Sequence, residues 1–359
     1  MIRHWLGGDM SALLDALFII AIIFLLSVFL SLWFGGIPNA IGAFARLVGL
    51  GAGPGSAGNV SAIVIRPTTI NQSRLAEYAL QLINNDRAKY GLAPVTLSNE
   101  PSAQQHADNM LANNYFSHWD LYGMKPYMRY TLLGGNGSVT ENVAYEYASE
   151  CGVMGCTGTI NANQSLQKME YNMMYNDSAC CNNGHRDNIL NPYHNQVSIG
   201  VAYNSSTIYF VEDFINNYIS WSGNTPAYGS NGEVYLEGSV QPGYSLSQVS
   251  VSYDPPVQNL TRQTVPAGPY SYGTEVAGVV GSPLYYYQNI STIVADTYSN
   301  SGNDFAVDFN IRNLIKRYGA GEYTVMLLLN DSRAGPGFTG STYTIFINRR
   351  DAQYMPGNV

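Results

Sequence analysis

Glu170 is the side chain whose type and place most demand a chemical partner. Apolar spacing predicts a helix over 163–175, with Leu166, Met169, Met173 and Met174 on its apolar face. Glu170 lies on that same face. An ionised carboxylate facing an apolar core is costly unless paired. The expected partner is a cation or a metal ion; the competing reading is a rim Glu whose carboxylate reaches water. The cysteines form the second candidate group. Cys151, Cys156, Cys180 and Cys181 lie in one stretch and can form two disulfides in an oxidising compartment. A four-thiolate zinc site is the alternative, although the paired C-x2-C knuckles that mark one are missing. Of the possible pairings, the vicinal Cys180–Cys181 bond is the least favoured because it strains the backbone. Pairing Cys151 and Cys156 with Cys180 and Cys181 would pin two long loops together. Other chemistry lacks its motifs. There is no Gly-x-Ser-x-Gly, no His-Glu-x-x-His, no P-loop and no dinucleotide fingerprint.

The elements that must hold these groups begin with a helix over 72–89, where Leu75, Ala79, Leu82 and Ile83 make one stripe. A second helix starts near Pro101 and carries Ala103, Ala107, Met110 and Leu111. Two strands, 197–203 and 207–214, are β-branched and aromatic and are joined at Asn204-Ser205-Ser206. Helices around a small antiparallel sheet make an α+β layer fold. His106, at the edge of a core face, reads as a satisfied structural histidine, and His194 as a solvated loop residue. Arg186 and Asp187 are expected to brace their helix, and Asn188 to tie a loop. Strand alternation sends one of Glu212 and Asp213 to solvent.

Several short motifs follow one another through this region. Phe116-Ser117-His118-Trp119-Asp120 comes first, with Gly123 and Pro126 after it. Thr140-Glu141-Asn142-Val143-Ala144 comes next, and then Gly184-His185-Arg186-Asp187-Asn188-Ile189-Leu190. Val197 to Val201 and Tyr209 to Phe214 close the series. In this order they resemble the CAP superfamily (SCP; cysteine-rich secretory, antigen 5, pathogenesis-related 1), most nearly its compact prokaryotic branch. The resemblance implies an α-β-α sandwich with a cleft lined by His118, Glu141, Glu170 and His185. Glu170 departs from the pattern in part, because Leu166 stands where the family often has Trp. It implies that His118 and His185 could hold Zn²⁺, with Glu141 or Glu170 as catalytic base. A mainly structural cleft is the other implication, and lipid binding, known for some members, a third.

The remaining chain sets the context. Ala16 to Phe34 carries no formal charge and would span roughly 28 Å as a helix, enough for a hydrocarbon core. A transmembrane helix is expected over 16–36, after a tail at 1–15. A cleaved signal ending near Ala43-Phe44-Ala45 is the alternative. Residues 37–67 form a tether, Gly/Ala/Ser-rich from 47 to 66. Asn-x-Ser/Thr triplets from Asn59 to Asn330 all follow the apolar run, which favours an exported, glycosylated C-terminal part. The CAP-like domain is assigned to 68–221, a linker to 222–232, and a β-sandwich of immunoglobulin-like type to 233–350, with a tail at 351–359. Alternating Val249/Val251/Tyr253 and Phe305/Val307/Phe309/Ile311 carry the sandwich assignment. Charged residues make up 12% of the chain, net charge is −8, and no Lys/Arg cluster occurs, so neither nucleic acid nor nucleotide is expected as a partner. The expected partners are the membrane and an unnamed surface protein, glycan or lipid. The expected role is a cell-surface binding or organising module; the rival is a metal-assisted hydrolase of envelope peptide or glycan.

Overall fold

The computed structural model describes residues 70–148, 151–152, 155–156, 158–333 and 337–348. The expected membrane helix and tether lie outside the described residues, as do the side chains of Cys151 and Cys156. Among the described residues no helix is long and apolar enough to cross a membrane. All the described residues belong to one compact unit.

Its first half follows the spacing of its apolar residues. Helix α1 (Ile70–Lys89) buries Leu75, Ala79 and Ile83, and a short strand β1 (Thr96–Leu97) follows. Helix α2 (Ser102–Asn113) buries Ala103, Ala107 and Met110. Helix α3 (Pro126–Leu132) starts on a proline, whose missing N–H costs nothing in a first turn. Strand β2 (Ser138–Tyr147) and a small hairpin, β3 (Cys151–Gly152) with β4 (Gly155–Cys156), come next. Helix α4 (Ala162–Tyr175) is capped by Asn161, whose side chain accepts from the Gln164 N–H. Two short helices, α5 (Ser178–Cys181) and α6 (Gly184–Ile189), lead to β5 (Gln196–Tyr203) and β6 (Thr207–Asn216).

The sheet runs β1-β5-β6-β2, with β1 parallel to β5 and the other pairs antiparallel. Successive side chains of a strand face opposite sides. Val143, Tyr209 and Val211 therefore pack with α2, and Val139 and Ile215 with α3. Phe210 and Phe214 pack on the other side with α1 and α4. Gly200 sets the distance to α2, since a Cβ there would stand 2.1 Å from the Ala103 carbonyl oxygen.

The second half is β-rich. It comprises β7 (Ile219–Trp221), β8 (Ala227–Tyr228), β9 (Glu233–Val240), β10 (Tyr244–Asp254), β11 (Thr274–Val280), β12 (Ser291–Val294), β13 (Thr297–Ser301), β14 (Asp304–Asn310), helix α7 (Arg312–Tyr318), β15 (Gly321–Asp331) and β16 (Phe338–Ile347). One sheet runs β12-β11-β10-β15-β16 and the other β13-β14-β9-β7, with β8 beside β9. Val249, Val251, Val325 and Leu327 from one sheet share a core with Val234, Leu236, Val307 and Phe309 from the other. Pairing of β11 with β12 is parallel, a direction that alternation in sequence does not encode.

The two halves are joined closely. The Ser138 hydroxyl donates to the Thr339 carbonyl at 2.7 Å, and the Thr342 N–H to the Gly137 carbonyl at 3.0 Å. The rings of Tyr193 and Phe338 stack with centroids 4.1 Å apart. After β10, residues 255–273 run back over the first half. The Leu260 N–H donates to the Leu121 carbonyl at 2.8 Å, and the Ser117 hydroxyl to the Pro266 carbonyl at 2.6 Å. Lys125 and the Tyr127 hydroxyl both bond Asp254 at the start of this segment, at 2.7 and 2.6 Å.

Three expectations need correction. Glu212 and Asp213 are both buried, because the sheet carries helices on both faces and neither face of β6 meets water. His194 is buried as well, with Nδ1 2.7 Å from Asn216 Oδ1 and Nε2 2.9 Å from Asn188 Oδ1. Cys180 is joined to Cys181, the pairing that backbone strain disfavours.

Candidate functional site

Glu141 organises the first polar group. Its place in β2 turns it toward α2 and α3, the face that Val143 also occupies. One carboxylate oxygen accepts from Arg129 Nη2 at 2.6 Å, and the other lies 2.9 Å from His118 Nδ1. Arg129 Nη1 also donates to the carbonyls of His118 and Met124, at 2.8 and 2.9 Å, and so fixes the loop that carries His118. Asp120 closes that loop by accepting from the N–H groups of Tyr122 and Met124, both at 2.9 Å. Burial by itself would raise the Glu141 carboxyl; Arg129, with His106 and His118, outweighs it and holds the group at about 2.

The group is roofed by the returning segment. Tyr270 accepts the Glu141 N–H at 3.0 Å, and its ring centroid stands 5.0 Å from that of His118. Only 13% of the His118 side chain is exposed. Beneath it, His106 bonds the Ser117 carbonyl at 2.8 Å through Nε2, and burial pushes its imidazole down to about 3, so it is neutral, as a structural histidine should be. Asp213, opposite Glu141 in register, is raised well above the usual carboxylate range by burial and by Glu141, and accepts from the Ser102 hydroxyl.

A second polar group faces the other way. Asn142 follows Glu141 in β2 and so points to the α1/α4 side of the sheet. Its side-chain amide donates to Glu212 Oε2 at 3.0 Å and to the His185 carbonyl at 3.2 Å, and it accepts from Asn188 at 3.0 Å. Glu170 is here, buried as the helix spacing requires, but the neighbour it meets is Glu212. Neither Glu170 oxygen accepts from a protein N–H. Burial first, and the adjacent acid second, raise Glu170 well above the usual range; burial raises Glu212 also. Burial and an adjacent acid, both favouring the protonated carboxyl, thus stand where a cation was expected. His185 Nδ1 lies 2.6 Å from Asp177 Oδ1, and Asp177 Oδ2 accepts the N–H groups of His185 and Arg186 at 2.9 and 3.2 Å.

The four residues implied for one cleft therefore stand in three partnerships: His118 with Glu141, Glu170 with Glu212, and His185 with Asp177. The first is on one face of β2, while Asn142 ties the other two to the opposite face. Each histidine turns Nδ1 to its own carboxylate, and among the described residues His118 does not join His185 in any group of three or more metal-ligand atoms. Arg129, Asp177 and Tyr270 were not singled out by sequence reasoning, and Glu212 was read only as one of two strand acids, one of them facing solvent. Arg129 is the one basic residue of α3, a signal that could have marked it as the partner of a buried acid. Tyr270 left no signal, because it arrives from the β-rich half. Asn188 acts through side chains, bonding Thr140 and His194 as well as Asn142. Arg186 donates to the Tyr90 hydroxyl at 3.1 Å and stacks over its ring.

Residues 80–214 match the family model described as the cysteine-rich secretory protein family, CAP. Among curated proteins none matches the chain. Similar solved structures include an extracellular protein containing a SCP domain from Bacillus anthracis, at 18% identity over 46% of this chain and 45% of that one, with a TM-score of 0.32. The CAP domain of enterococcal PrgA is 16% identical over 40% of this chain and 61% of its own, with a TM-score of 0.28. An outer surface protein from Borrelia burgdorferi is 14% identical over 40% of this chain and 93% of its own, with a TM-score of 0.29. The chain thus spans about half of the Bacillus protein and under two thirds of the enterococcal domain. With the motif series in its expected order and helices around the four-stranded sheet, this match identifies a CAP superfamily domain within the chain, followed by additional β-sheets.

Proposed function

We propose that the protein is an extracellular, membrane-anchored CAP-domain protein that binds or organises components of the cell surface without turnover. The observation that carries this reading is the state of Glu141. Both its oxygens are engaged, by Arg129 and His118, and Tyr270 covers the group. A catalytic base needs an oxygen free to reach a substrate proton. The Glu170–Glu212 pair is buried and equally out of reach. In this reading the apolar run at 16–36 anchors the chain, the tether holds the folded part off the membrane, and the outer surface meets a protein, glycan or lipid partner.

The test uses the purified full-length protein and isolated cell envelopes. Co-sedimentation with the envelopes is expected, with no hydrolysis products by mass spectrometry whether or not Zn²⁺ is added. His118→Ala is expected to lower the melting temperature and to leave co-sedimentation intact. Release of peptide or glycan fragments that Glu141→Gln or Glu170→Gln abolishes would replace this reading with the metal-assisted hydrolase.

A further inference from the structure

Asp177, Cys180, Cys181 and His185 come together where α5 meets α6. Each offers one ligand-type atom, and the four atoms all lie within 4.8 Å of one another. Among the described residues this is the one such group of three or more. Asp177 is buried and rigidly held. Its Oδ2 accepts two backbone N–H groups from α6, while Oδ1 lies 2.6 Å from His185 Nδ1 and 3.6 Å from Cys180 Sγ. The chain path makes this possible. Asn182 and Asn183 both take the left-handed conformation, at φ 51° and 64°, which Asn tolerates better than most residues. They turn the chain so that the start of α6 comes back to Asp177. Cys181 and His185 are half-buried and Cys180 is exposed, so an ion can enter from solvent.

Two sulfurs, an imidazole nitrogen and a carboxylate oxygen are a donor set suited to tetrahedral Zn²⁺. The ligand form of cysteine is the thiolate. The bonded Cys180–Cys181 pair and a metal site are therefore alternative states of the same atoms. We propose that, once the Cys180–Cys181 bond is reduced, Asp177, Cys180, Cys181 and His185 bind one zinc-type divalent ion. A trialkylphosphine performs the reduction in balance: phosphorus takes the oxygen of one water, the S–S bond breaks, and the two sulfurs take that water's protons. Metal binding then releases those protons.

The full-length protein, reduced without oxygen and freed of phosphine, is titrated with Cd²⁺, followed by sulfur-to-metal charge transfer, and with Zn²⁺ against a chromophoric chelator. One ion per reduced chain is expected, and none in the unreduced chain. His185→Ala and Asp177→Asn should each weaken binding at least about tenfold. The charge-transfer band should vanish in Cys180→Ser/Cys181→Ser and persist in Cys151→Ser/Cys156→Ser and in His118→Ala. Should Asp177→Asn lose its fold by circular dichroism, His185→Gln, which leaves the Asp177 backbone bonds in place, carries the test. The proposal is overturned if the reduced chain binds no ion, if the band survives in Cys180→Ser/Cys181→Ser, or if Cys151→Ser/Cys156→Ser removes it.

Discussion

A buried carboxylate keeps its charge only where cations or donors are supplied, and Glu141 and Glu170 illustrate both outcomes. Glu141 has Arg129 and stays ionised; its stabilising contribution is full above the ordinary value of 4.5 and is lost as pH falls toward about 2. Glu141→Gln strands a buried guanidinium, and should cost about 3–5 kcal/mol in urea unfolding near neutral pH. Glu170 has an acid for a neighbour, so its folded value lies above 4.5 and the native state binds the proton more tightly. Stability from this pair is therefore complete below pH 4.5 and declines as pH rises above it. Glu170→Gln should flatten that decline and raise stability by more than about 1 kcal/mol in mildly alkaline buffer. A Glu170→Gln variant that is less stable than the parent there would refute a protonated Glu170. The place of Glu170 on a buried helix face was legible from Leu166, Met169, Met173 and Met174, but the partner was not. Glu212 comes from a strand distant in sequence, and nothing local to α4 encodes which residue faces it.

At the scale of elements, the site depends on how closely helices approach the sheet. Helix α2 rests on β5 at Gly200, where a Cβ would meet the Ala103 backbone at 2.1 Å. A backbone contact cannot rotate away as a side chain can. Gly200→Ala should thus destabilise by about 1–3 kcal/mol, read from the shift of the denaturation midpoint. Thermal stability equal to the parent would show that α2 can move off the sheet. The helices at 70–89, 102–113 and 162–175 could be anticipated because a repeat near 3.6 residues shows in the sequence. Strand β2 could not, because it is buried on both faces over Glu141 to Val143 and its polar residues, Glu141 and Asn142, break any apolar alternation.

At the scale of the molecule, the β-rich half contributes to the CAP site. Segment 255–273 brings Tyr270 onto His118 and Glu141, and Asp254 anchors it through Lys125 and Tyr127. Unfolding of one half should therefore expose the polar cluster of the other. The described part of the chain is expected to melt in one transition, coincident by near- and far-ultraviolet circular dichroism. Asp254→Ala leaves the Tyr127 hydroxyl without its acceptor and Lys125 with only the Ser271 carbonyl, and should lower that single transition by about 1–3 kcal/mol. Two transitions, with only the later one sensitive to Asp254→Ala, would mean that the halves are independent.

What the sequence determined by itself is local. Helical stripes, alternating strands, the Asn161 start of α4 and the order of the CAP motifs all depend on neighbours within a few turns or on short strings of residue types. Tertiary structure alone decided which charged groups meet. Adjacent residues Glu141 and Asn142 part to opposite faces of one sheet, and a tyrosine far along the chain closes over the first of them. The physical reason is that pairing a buried charge depends on which groups long-range packing brings within about 4 Å, and sequence spacing carries no record of that distance.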